Sequence, residues 1–289
     1  MNKLLSISGL SFHKYLGVIM LFSFLYACKK ENSIQKEAPK DYLFTEMPAG
    51  STGIHFINQV KNEKEFNIFR YRNFYNGAGV GIGDINNDGL PDVYLTSNMG
   101  KNKLYLNQGN FKFKDISESS GTQGNRSWST GVTLVDINND GLLDIYVCNA
   151  GNIEGDDRRN ELFINNGDLT FTEDASAYNL DENGFTTHAA FFDYDMDGDL
   201  DVYILNNSFI PASSLGYNNK RELRGKDWDL PEVFKGGGDK LLRNDNGKFT
   251  DVSEKAGIYG SLIGFGLGVT IGDVNSDMLP DIYVSNDFY

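Results

Sequence analysis

Four nine-residue stretches put oxygen-bearing side chains at positions one, three, five and nine: Asp84 to Asp92 (DINNDGLPD), Asp136 to Asp144 (DINNDGLLD), Asp193 to Asp201 (DYDMDGDLD) and Asp273 to Asp281 (DVNSDMLPD). Such a set suits a hard divalent cation, which takes about 6 to 8 oxygens from carboxylates, amides, backbone carbonyls and water. The expected ligands are Asp84, Asn86, Asp88 and Asp92 with the Leu90 carbonyl, and Asp136, Asn138, Asp140 and Asp144 with the Leu142 carbonyl. In the third loop they are Asp193, Asp195, Asp197, Asp199 and Asp201, and in the fourth Asp273, Asn275, Asp277 and Asp281 with the Leu279 carbonyl. Calcium at about four structural sites is the expected cofactor. Glycine at position six (Gly89, Gly141, Gly198) permits the sharp turn such a loop needs. The fourth loop has Met278 there, so its geometry is the one most open to change.

An EF-hand begins in the same way, but it needs flanking helices and a bidentate Glu at position twelve. Position twelve here is Leu95, Val147, Ile204 and Val284, each inside a strand-like apolar run, so the Asp at position nine must take the bidentate role. Loops that merely turned the chain would not crowd three to five carboxylates together, because like charges at close range repel.

The loops start 52, 57 and 80 residues apart, and each sits in the same surroundings. A Gly-rich strand (residues 77–83, 130–135, 187–192 and 264–272) leads into the loop and a second strand leads out. A third and a fourth follow as a hairpin around Asn/Gly turns: residues 104–107 with 111–113, 162–165 with 171–172, and 241–244 with 248–250. Four antiparallel strands per repeat make a β-propeller blade, so the fold class is all-β, with about three and a half blades. In that topology the aspartate loops and hairpin turns share one face. The longer second-to-third connections (residues 98–103, 149–160 and 206–240) occupy the other, where recognition tends to sit on variable loops.

These residues resemble the FG-GAP/VCBS repeats, calcium-loop propellers found in integrin α-chains and in many bacterial surface proteins. Asn76-Gly77-Ala78-Gly79-Val80, Trp128-Ser129-Thr130-Gly131-Val132 and Thr187-His188-Ala189-Ala190-Phe191-Phe192-Asp193 look like the propeller region of ASPIC/UnbV-type (cartilage acidic protein-like) lipoproteins. The resemblance implies a seven-bladed ring and a C-terminal ASPIC/UnbV domain, neither of which is complete in these residues. The chain is therefore expected to be the N-terminal part of a longer protein, folding as an open arc with unprotected edges. Residues 43–46, up to Gly53-Ile54, repeat the pattern of Phe249-Thr250-Asp251 up to Gly257-Ile258 and read as an outer strand that would close the last blade.

Lys3 and Lys14 precede an apolar run from Leu16 to Ala27, too short to span a bilayer comfortably, which reads as a signal peptide. Its end, Leu25-Tyr26-Ala27-Cys28, resembles a lipobox in which Cys28 would carry the lipid. Residues 1–28 are thus the signal, 29–40 a polar tether and 41–289 the repeat body, with the chain anchored in the bacterial envelope, the outer membrane being favoured. The other cysteine, Cys148, lies in an apolar strand with no partner, so a disulfide framework is excluded. With 40 acidic against 26 basic residues the formal charge is −14, much of it in the loops, which argues against nucleic acid as a partner.

The longest connection carries Tyr217, Arg221, Arg224 and Trp228, a mixture suited to a glycan or a protein ligand at the envelope. The expected function is therefore calcium-dependent binding, not catalysis. The alternative is a polysaccharide-degrading, lyase-like enzyme, for which His188 is the available base. No companion nucleophile motif accompanies it, and it reads as a packed strand histidine.

Overall fold

The computed structural model describes residues 43–151, 157–210 and 222–287. The signal segment with Cys28, the tether, Tyr217 and Arg221 lie outside the described residues. Two compact units divide the chain at residue 46. Of the first, Leu43–Glu46 are described; they are exposed and in no strand, so the outer strand expected there is not formed.

The second unit contains three four-stranded antiparallel sheets and a two-stranded one among the described residues. Blade one is β1 (Val80–Gly83), β2 (Asp92–Leu95), β3 (Lys103–Asn107) and β4 (Phe113–Asp115). Blade two is β5 (Ser129–Val135), β6 (Asp144–Asn149), β7 (Glu161–Asn165) and β8 (Phe171–Glu173). Blade three is β9 (Thr186–Phe192), β10 (Asp201–Asn206), β11 (Lys240–Asn244) and β12 (Phe249–Asp251). The last pair is β13 (Gly266–Gly272) and β14 (Asp281–Asn286). These are partial β-propeller blades, as the repeat pattern implies, with a correction in the first hairpin. Phe111 was expected in the fourth strand, yet it has φ 55° and is 66% exposed. The Gln108 amide bonds the Lys112 carbonyl across the turn at 2.7 Å, so the strand starts at Phe113.

Blades two and three bury both faces, because alternate residues of a strand point to opposite sides, whereas Val80 and Ile82 of β1 and Tyr283 of β14 are exposed. On β6, Ile145 and Val147 pack with Ile85, Tyr94 and Leu104 of the first repeat, whereas Tyr146 and Cys148 pack with Val202, Ile204 and Leu242 of blade three. The core therefore lies between blades, and β6 and β10 are buried along their whole length. Cys148 fits this environment as a small apolar side chain, its thiol free and its pKa pushed up by burial.

Inner strands of successive blades approach at backbone distance. The Gly79 amide donates to the Thr130 carbonyl at 2.6 Å, and Thr130 Oγ1 donates to the Thr186 carbonyl at 2.6 Å. A Cβ at Gly79 would stand 2.7 Å from Thr130 O, and one at Gly131 2.6 Å from Thr187 O, so a side chain there would separate the blades. A one-turn helix follows β4 and β8: Ser117–Ser120 and Ala175–Tyr178, each closed by a left-handed residue, Gly121 or Asn179. Ala49–Thr52 with Gly53 at φ 86° has the same form, and it precedes blade one. No described helix is long and apolar enough to cross a membrane.

With the one described cysteine free, an aromatic cluster joins the repeats. Phe66, Tyr71 and Phe74, from the segment before β1, pack with Trp128, Phe185 and Phe209. The Trp128 ring is 4.9 Å from Phe66, 5.4 Å from Tyr71 and 5.2 Å from Phe74, and Tyr71 stacks on Phe209 at 5.8 Å.

A buried carboxyl in blade three invites a test. Asn102 and Asn160 occupy one site in blades one and two, each accepting an amide at or just beyond the end of the second strand, Ser97 at 2.9 Å and Asn149 at 2.8 Å. Blade three has Asp239 there, accepting from the Asn206 amide at 2.9 Å and from the Tyr203 hydroxyl at 2.8 Å. Burial pushes its pKa up to about 6, against these two hydrogen bonds. The folded protein holds this proton more tightly than the unfolded chain does, so the penalty is absent below about pH 4 and complete above about pH 6. Asp239→Asn, which restores the arrangement of blade two, is expected to add about 1–3 kcal/mol at pH 7.5 and little at pH 4. Urea denaturation at the two pH values reads the difference, and an equal gain at both would refute it.

Candidate metal centres and the opposite face

All four aspartate loops fold alike. The first-position carboxylate accepts the amide of position five at 3.1 Å in each (Asp88, Asp140, Asp197, Asp277) and the amide of position six at 2.7 to 3.0 Å. The ninth-position Asp is the keystone. Its Oδ2 accepts the amide of position two (Ile85, Ile137, Tyr194, Val274) at 2.6 to 3.1 Å. In the complete blades its Oδ1 accepts the amide of the Asn that ends the third strand: Asn107 at 2.7 Å, and Asn165 and Asn244 at 2.8 Å. That Asn donates in turn to the carbonyl at position eight (Pro91, Leu143, Leu200) and accepts the amide of the hairpin Gly109, Gly167 or Gly247. Loop and hairpin turn are thereby clipped together on one face, as the strand order implies.

These three asparagines were missed from sequence, although Asn before a Gly recurs at every hairpin. Position four was missed as well: Asn87, Asn139, Met196 and Ser276 all have φ between 57° and 65°.

At position six, φ is 86° in Gly89 and Gly141 and 97° in Gly198, while a Cβ there would meet nothing within 4 Å. Conformation alone selects the glycine. Met278 holds the same place at φ 67° with its side chain 84% exposed, so it carries strain without packing in return. Met278→Gly is expected to raise stability by about 0.5–1 kcal/mol, measured as a shift in denaturant midpoint; a loss would refute the assignment.

In the third loop carboxylate oxygens of Asp193, Asp195 and Asp197 all lie within 4.8 Å of one another. Asp199 adds an Oδ1 that is buried without a partner, and its pKa is pushed up to about 6 by burial and then by Asp197, Asp201 and Asp195. Burial, followed by Asp140 and Asp136, likewise raises Asp144 to about 6, and burial raises Asp92 and Asp201. Uncompensated negative charge of this kind fits a cation and argues against plain turns.

On the other face Arg224 and Trp228 are fixed by the chain itself. Arg224 Nη2 donates to the Ile258 carbonyl at 3.1 Å, and Trp228 Nε1 to the Leu223 carbonyl at 3.0 Å. Arg224 still borders a cleft of about 730 Å³ with Lys226, Lys235, Lys240 and Lys255. His188 lies on β9 facing a hollow of about 230 Å³ that Tyr71 and Thr130 also line, and burial lowers its pKa.

Antiparallel four-stranded blades, hydrogen-bonded inner strand to inner strand and each carrying an aspartate loop between its first two strands, define a β-propeller-type repeat protein. The repeats are of one recognised kind: the FG-GAP-like repeat family matches residues 84–147 and 150–204, so this part of the chain carries FG-GAP-like repeats. It is similar to cartilage acidic protein 1 of Xenopus tropicalis (30% identity over 160 residues, 55% of this chain and 23% of the relative) and of Mus musculus (31% over 138 residues, 48% and 21%). It is also similar to integrin alpha-8 of Gallus gallus (30% over 131 residues, 40% and 12%). The aligned part spans less than a quarter of the length of these relatives.

Proposed function

We propose that this chain is an exported calcium-binding propeller module that holds a glycan or protein ligand at the bacterial envelope, lipid-anchored through Cys28. The observation that carries the reading is the repeated aspartate loop, whose third copy brings three carboxylates within 4.8 Å of one another. Calcium would rigidify one face, leaving the connections of the opposite face free to recognise a partner. The similarity to integrin alpha-8 supports a binding module over an enzyme.

The test is retention of the purified protein on immobilised envelope polysaccharides and surface proteins, in calcium and in EGTA. Binding that requires calcium is expected, and retention indifferent to the chelator would overturn the calcium-dependent reading. The lyase alternative draws on His188 beside its hollow. It requires unsaturated products from acidic polysaccharides that disappear in His188→Ala.

A further inference from the structure

A recess of about 460 Å³ lies on the face opposite the aspartate loops, between the second-to-third connections of blades two and three. Every residue lining it is polar, charged or glycine. Its carboxylates are all paired: Asp181 with Arg159 at 2.5 Å, Glu182 with Lys240 at 2.6 Å and Glu232 with Lys235 at 2.9 Å. One charge is left over. Arg158 is only 6% exposed and has no ion pair among the described residues. Its guanidinium lies 4.0 Å over the Phe185 ring, Nη1 donates to the Val233 carbonyl at 3.1 Å, and Nε has no partner.

The surrounding chain makes room for this arginine. A Cβ on Gly151 would collide with Arg158 Cγ, and one on Gly236 would stand 3.0 Å from Phe185 and 3.3 Å from Arg158 Nη2. Burial acts against the guanidinium charge, and Glu182 offsets it only in part. A buried charge is costly until a counter-charge joins it, and the planar guanidinium fork matches a carboxylate.

We propose that this recess binds the carboxylate of a uronic acid residue in an acidic oligosaccharide, with Arg158 as its anchor. The proposal deepens the binding-module reading and rests on it. A sugar is favoured over an acidic peptide because the walls offer amides and ammonium groups for hydroxyls (Asn179, Asn183, Lys235, Lys240) and no apolar side chain. The volume lies within the ~300–1,000 Å³ usual for small-ligand sites.

Calorimetric titration of the full chain in calcium, with short glucuronate- and galacturonate-containing oligosaccharides and their carboxyl-reduced counterparts, decides it. The uronates are expected to bind about tenfold or more tightly than the reduced sugars, and Arg158→Gln to remove that advantage. Arg158→Lys keeps charge and stem but loses the fork, so it is expected to retain the fold and only part of the preference, covering a failure of Arg158→Gln to fold. Equal affinity for charged and reduced sugars, or a preference for a glutamate-rich peptide, would overturn the proposal. So would no uronate binding at all; in that case calcium-dependent retention of another envelope ligand would leave the binding-module reading standing.

Discussion

Trp128→Ala is expected to lower the free energy of unfolding by about 3–5 kcal/mol, the cost of emptying a large aromatic site in a packed core. Trp128 stands where three parts of the chain meet. The segment carrying Phe66, Tyr71 and Phe74 precedes blade one, Trp128 leads into blade two, and Phe209 belongs to the long connection of blade three. Its backbone also bridges the repeats, the amide donating to the Asn98 carbonyl and its own carbonyl accepting from the Ala150 amide, both at 3.0 Å. The one described cysteine is buried and free, so no covalent link would hold these parts once the ring is gone. Loss of the cluster should also broaden the transition, as blades that had unfolded together begin to unfold singly. Phe111→Ala is the matched control: that ring is exposed on a hairpin turn and its removal should shift stability by no more than about 0.5 kcal/mol. A loss below about 1 kcal/mol in Trp128→Ala would mean that inter-blade packing alone suffices.

The parts of this architecture that were legible in the sequence are those where chemistry imposes spacing. A cation demands oxygens at fixed offsets, so Asp84, Asp136, Asp193 and Asp273 each open the same spacing, and that spacing places the strands on either side. The aromatic cluster was not legible because its members lie at 66 to 74, 128, 185 and 209, and only closure of successive blades brings them together. The Asn107, Asn165 and Asn244 clips were visible as recurring Asn-Gly turns, but the reach from hairpin to aspartate loop depends on a strand pairing that spacing does not reveal. Phe111 misled for a different reason. Alternation of Phe-Lys-Phe reads as a strand, yet Asn110 and Phe111 both take left-handed conformations to close the hairpin. Arg158 offered no signal at all, since whether a cation is paired depends on the fold around it.

Removal of calcium is expected to produce the largest change of all. A cation bound only by the folded chain stabilises by about 2.7 kcal/mol per site at a hundredfold excess over its dissociation constant, and four loops share one geometry. EGTA should therefore lower the melting temperature far more than any single substitution in a loop. The third loop decides whether the effect is specific. Asp195→Ala and Asp197→Ala each remove one of three clustered carboxylates, so both should cost about 2–3 kcal/mol in calcium. In EGTA, Asp195→Ala should cost almost nothing, because the same change relieves the repulsion that helps to raise Asp199. Asp197→Ala should keep a small residual cost in EGTA, since Asp197 Oδ1 also accepts the Asp199 amide at 3.1 Å. Protons compete with the cation: with Asp144 and Asp199 both raised to about 6, calcium affinity should fall as pH drops through that value, since the ligands must lose their protons to bind. Superimposable melting curves with and without chelator at pH 7.5 would show that the loops are held by their own hydrogen bonds. The ninth-position aspartates, which already bind two backbone amides in each complete blade, would then be purely structural.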